Sequence, residues 1–130
     1  MRVGLVGIGN MGFAMAARLR EQGFAVGVRD IDAQREAAAV ALGATAYPTP
    51  AALAAASDAL VVAVVDAAQT DEVLFGGAGA TASLTSGAAV LLCPTIGPAD
   101  TERFAARLAA GGVVCIDAPM SGGPTRARDG

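Results

Sequence analysis

Three stretches of this 130-residue chain carry residue types at spacings that could do chemistry. The first is Gly7-Ile8-Gly9-Asn10-Met11-Gly12, directly after the apolar run Arg2–Val6 and before a helical pattern. In a strand-to-helix turn the first glycine permits the tight bend and the second lets a diphosphate approach the backbone. The third lets the helix lie close to the strand. Free N–H groups at the helix start then face the anion, helped by the helix dipole.

The second stretch is Val28-Arg29-Asp30-Ile31-Asp32. Asp30 follows Gly7 by 23 residues, near the spacing of about 20 expected for a carboxylate that bonds ribose hydroxyls. Such a carboxylate repels a 2′-phosphate, which favours NAD over NADP. Asp32 competes for the role but is better placed as a helix cap. Arg29 is a neighbouring cation that could accept a 2′-phosphate, so both cofactors stay open.

The third stretch is Ser121-Gly122-Gly123, where two glycines after a serine expose adjacent N–H donors suited to a carboxylate. No histidine occurs, and all nine basic residues are arginines. Arginine stays protonated near neutrality and is a poor proton shuttle. No residue of the chain is therefore assigned a catalytic acid or base role. Cys93 and Cys115 stand apart inside apolar runs with no metal-type spacing, as expected of buried reduced thiols in a cytoplasmic protein.

The elements that must position these residues alternate between short apolar runs and alanine-rich helical patterns. Strands are predicted over 2–7, 25–28, 45–47, 59–65, 88–95 and 113–119. Helices are predicted over 11–21, 32–42, 49–56, 67–75, 80–86 and from Pro98 to Gly111. Asp32 and Thr49 read as caps, Pro50 and Pro98 as first helical residues, and Gly43 as a stop. The run "ALVVAVV" has no polar face, as a strand covered by helices on both sides requires. The predicted class is an α/β, doubly wound parallel sheet of the Rossmann type forming one dinucleotide-binding domain over 1–130. In such sheets ligands lie beyond the carboxyl ends of the strands, where Asp66, Thr95 and Ser121 fall.

The net charge is −3 and the pI about 4.7, which argues against nucleic acid as a partner. No run approaches the roughly 20 apolar residues of a membrane span. Apolar residues make up 54% of the chain but aromatics only 4%. Alanine-rich helices that are apolar on more than one side suit a domain normally covered by a partner domain or subunit.

With the glycine turn, "CPTIGP" (93–98) and "DAPMSGGPTRARDG" (117–130) in view, the whole chain resembles the β-hydroxyacid dehydrogenase family. That group contains the 3-hydroxyisobutyrate, tartronate semialdehyde and L-threonate dehydrogenases and is more distantly related to 6-phosphogluconate dehydrogenase. "VVDAAQTDEVLFG" (64–76) and the cysteine-threonine pairing in "CPT" are most similar to the L-threonate branch.

The resemblance implies that Gly7, Ile8, Gly9, Asn10, Met11 and Gly12 hold the diphosphate of NAD, with Met11 toward the nicotinamide, and that Asp30 holds the adenosine ribose. It implies that Val64, Val65 and Asp66 border the cofactor and that Thr95 meets the nicotinamide side. Ser121, Gly122 and Gly123 would bind a small hydroxy-acid substrate. In the family a lysine from a later, all-helical part manages the hydroxyl proton. The chain is thus expected to be the N-terminal piece of a two-domain homo-oligomeric enzyme. Two alternatives stand beside it: a non-catalytic module of the same fold, and an NADP-dependent relative of the imine-reductase or 6-phosphogluconate type.

Overall fold

A computed structural model describes all residues, 1–130. Six strands, β1 (Arg2–Val6), β2 (Ala25–Arg29), β3 (Thr45–Ala46), β4 (Ala59–Val62), β5 (Ala89–Leu92) and β6 (Val114–Asp117), form one sheet. Their order is β3-β2-β1-β4-β5-β6 and every pairing is parallel. The order reverses between β1 and β4, so the carboxyl ends of those two strands flank the crevice in which such sheets bind ligands.

The helices are α1 (Asn10–Glu21), α2 (Ala33–Ala41), α3 (Pro50–Ala55), α4 (Ala67–Phe75), α5 (Pro98–Ala110) and α6 (Gly123–Asp129). The local signals operate as the residue types require. Asp32 accepts from the N–H of Gln34 and Thr49 from that of Ala52, and Pro50 and Pro98 open their helices. Gly43 takes a left-handed φ of 94° just past α2.

Two cores sandwich the sheet. On one face Leu53, Leu60, Val62, Leu74, Val90, Leu92 and Phe104 are fully buried beneath α3, α4 and α5. On the other Leu5 and Val28 of the sheet pack with Ala16 of α1 and Ala39 of α2, and Ile8 and Cys93 join the same core. Strands that present apolar groups to both layers explain the unbroken "LVV" and "VLL" runs. Phe104 and Leu108, one turn apart on α5, are 0% and 1% exposed.

The structure corrects several predicted boundaries. β4 ends at Val62 and β5 at Leu92, because the apolar runs continue past the hydrogen-bonded ladder into loops at the ligand edge. The helix expected over 80–86 is a single 3-10 turn, Ala80–Ala82. Helix α6 was not expected. It starts where Gly122 and Gly123 adopt left-handed φ values of 87° and 70° and Pro124 follows. It packs along α1, where the guanidinium of Arg128 bonds the carboxylate of Glu21. No helix is long and apolar enough to cross a membrane.

Candidate functional site

The first predicted stretch folds into a turn from β1 into α1. Gly7 has φ 94°, and a Cβ there would stand 2.5 Å from the carbonyl oxygen of Ala63 at the end of β4. A Cβ on Gly12 would overlap the carbonyl oxygen of Gly7, so α1 lies against the turn only because that position is bare. Gly9 differs from both. It is the N-cap of α1 at φ −72° and ψ −164°, a conformation open to any residue. The nearest heavy atom to a Cβ there is the Nη1 of Arg35, 3.8 Å away. Nothing within the chain requires a glycine at this position, so the bare backbone serves an approach from outside.

The donors match that approach. Ile8 gives its N–H to Asp30 and Gly7 gives its own to Arg29, whereas Gly9 makes no backbone donation. The first-turn N–H groups of α1 are the unpaired donors of any helix start. Asn10 and Met11 present them at the positive end of a 12-residue helix.

The end of β2 is arranged differently from expectation. Asp30 is 7% exposed. One carboxylate oxygen accepts Ile8 N–H at 2.6 Å and the other accepts Asp32 N–H at 2.8 Å. Its own N–H donates to Glu36 at 2.9 Å. The carboxylate therefore lies beneath the glycine turn and fixes its shape. Arg29 is turned away, with Nη1 3.3 Å from the Glu36 carboxylate. The charged side chains that reach the cavity above the turn are Asp32 and Arg35 of the α2 end and Arg128 of α6, the last bonded to Glu21. They line an open space of about 750 Å³ together with Gly9, Asn10, Phe13 and, from α6, Thr125.

The remaining predicted residues lie along the same edge. Val64 packs partly against the core, Val65 is 78% exposed, and Asp66 caps α4 by accepting from Gln69 N–H at 2.8 Å. The side-chain oxygen of Gln69 in turn accepts the N–H of Val65, the residue before the cap, at 3.0 Å. Thr95 is exposed three residues beyond β5. Ser121 and Gly122 form the loop between β6 and α6, and their N–H groups have no acceptor in the chain. Parallel strands place all these loops at one edge. The cavity above the glycine turn takes in only Ile8, Gly9 and Asn10 of the predicted set. Arg35 was missed because a lone arginine on a helix carries no motif. Its cue lies in its placement beside the open side of Gly9, a residue 26 positions earlier.

A parallel sheet of this order, with a glycine turn after its first strand, defines the class of dinucleotide-binding domains. Residues 2–130 match the family model of the NAD binding domain of 6-phosphogluconate dehydrogenase, and the chain belongs to that family, the NAD(P)-binding domain of the β-hydroxyacid dehydrogenases. It is 37% identical over 128 residues to an L-threonate dehydrogenase of Cupriavidus necator, a match covering 98% of this chain and 43% of that protein. A 3-hydroxyisobutyrate dehydrogenase structure from Salmonella typhimurium superposes with a TM-score of 0.93 at 37% identity, over 99% of this chain and 45% of that one. Psf3, solved in complex with NADP+ and 2-OPP, superposes with a TM-score of 0.92 at 29% identity, over 98% of this chain and 45% of that one. The chain thus spans less than half the length of these relatives.

Proposed function

We propose that the chain is the cofactor-holding part of an NAD-dependent oxidoreductase acting on a short 2- or 3-hydroxy acid, with L-threonate the leading substrate. The observation that carries this reading is the bare backbone of Gly9, open to the outside above the unpaired N–H groups of α1. The nicotinamide, when bound, supplies the hydride chemistry. The protein's part is position and electrostatics.

In this reading the turn from Gly7 to Gly12 grips the diphosphate, with Met11 at its nicotinamide side. Asp30 shapes the turn from below and stands with Asp32 at the ribose end. Two carboxylates at the end of β2, and an Arg29 held by Glu36, favour NAD over NADP. Val64, Val65 and Asp66 border the cofactor after β4, and Thr95 stands toward the nicotinamide. Ser121, Gly122 and Gly123 receive the substrate carboxylate and hydroxyls with the serine hydroxyl and free N–H groups. No residue here moves the hydroxyl proton, since the chain holds neither lysine nor histidine. That step falls to a group supplied by a further helical domain, with assembly into homo-oligomers through the same part.

The test is fluorescence titration of the 130-residue chain with NADH and with NADPH. Saturable binding of both, tighter for NADH, is the expected result. Tighter binding of NADPH would overturn the cofactor assignment, and absence of binding to either would overturn the reading as a whole.

A further inference from the structure

Resting on the dinucleotide reading of the same site, we infer that Arg35 of α2 is a diphosphate contact that completes the glycine turn from the side opposite the α1 amides. Three arginines surround this end of the sheet. Arg29 is bonded to Glu36 at 3.3 Å and Arg128 to Glu21. Arg35 makes no hydrogen bond within the chain. Its only ionic neighbour is Asp32, at 3.8 Å from its Nε, and both side chains are about half exposed. Its Nη1 points the other way, to within 3.8 Å of the place a Gly9 Cβ would occupy.

That place is the volume the bare backbone leaves for a ligand. An anionic oxygen seated there would face the N–H of Gly9 and the first-turn donors of α1 on one side, and a guanidinium on the other. A small rotation of the Arg35 side chain shortens the separation to the roughly 2.7–2.9 Å of a charge-assisted bond. The guanidinium fork suits two oxygens of one anion better than an ammonium would.

A ribose 2′-phosphate is the competing ligand for Arg35. It would have to share the end of β2 with the Asp32 carboxylate, which is fixed as the α2 cap through Gln34 N–H at 2.9 Å. The diphosphate meets no such repulsion at Gly9.

Calorimetric titration of wild type, Arg35→Gln and Arg35→Lys with NADH, NADPH and ADP tests the assignment. Circular dichroism confirms that the variants fold, as expected for a half-exposed site. Arg35→Gln should weaken all three ligands by the same factor, about 10-fold, and Arg35→Lys should restore part of the loss. Wild-type NADH binding with an unchanged Arg35→Gln affinity would overturn this inference and leave the dinucleotide reading standing. A loss confined to NADPH would make Arg35 a 2′-phosphate contact and overturn it equally. A wild-type chain that binds none of the three would remove both.

Discussion

The carboxylate of Asp30 accepts the N–H of Ile8 at 2.6 Å, tying the end of β2 to the middle of the glycine turn across 22 residues. This bond gives a buried acid a structural task besides any it has toward ribose. Because its second oxygen accepts Asp32 N–H, replacing one oxygen by an amide sets donor against donor. Asp30→Asn should therefore destabilise the fold by about 1–3 kcal/mol, read as a shifted midpoint in urea. Asp30→Ser should also weaken NADH relative to NADPH. A variant with unchanged stability would show that the carboxylate does not hold the turn.

The two later glycines of the turn separate structure from binding. At Gly12 a Cβ would overlap the Gly7 carbonyl, so Gly12→Ala must push α1 off the sheet at a cost of about 3 kcal/mol or more. At Gly9 the nearest atom is 3.8 Å away, so Gly9→Ala should change stability by about 1 kcal/mol or less. It should nonetheless cost most of the NADH affinity. Thermal melts and titrations on the two variants check the contrast, and equal stability losses would contradict it.

These residues also mark how far the sequence was legible. Gly12, Asp32, Thr49 and Pro50 act through neighbours a few positions away, so their types and spacing announced the turn, the caps and the helix starts. The sandwiched sheet followed from strands with no polar face. What stayed hidden depends on distant partners. Nothing in "VRDID" says that Asp30 will meet Ile8 rather than solvent, or that Arg29 will turn to Glu36. Nothing around Arg35 places its guanidinium beside Gly9. The strand ends were overextended because loops at the ligand edge are as apolar as the strands. Helix α6 was overlooked because its start signal, Gly-Gly-Pro, read equally well as a turn.

At the opposite edge of the sheet Arg2 gives Asp58 its backbone N–H at 2.7 Å and its guanidinium at 3.1 Å. The hydrogen bonds from Arg2 hold the Asp58 carboxyl below its ordinary value. A depressed folded-state value contributes stability that is present above the unfolded value, about 3.9, and is lost as the pH falls through the folded one. Acidification below about pH 4 should thus erode stability, and Asp58→Asn should remove part of that slope while leaving NADH binding unchanged. Parallel acid titrations of wild type and variant by circular dichroism decide it, and identical slopes would leave the pair without a thermodynamic role.

The cysteines make the last prediction. Cys93, just past β5, is 6% exposed, and burial pushes its thiol up to about 11. Cys115 on β6 is only partly buried, and its value is raised by burial first and then by the charge of Asp117. Thiolates are the reactive form, so near pH 8 Cys93 should resist a disulfide reagent in the folded chain and react only on unfolding. Cys115 should react first, though more slowly than a free thiol. A raised folded-state value also means stability that is intact below the unfolded value of about 8.5 and declines as the pH rises toward about 11. Cys93→Ala should flatten that alkaline decline. Stopped-flow labelling with and without denaturant, together with alkaline melts of the variant, tests both halves. Equal native-state rates for the two thiols would contradict the burial of Cys93 on which both rest.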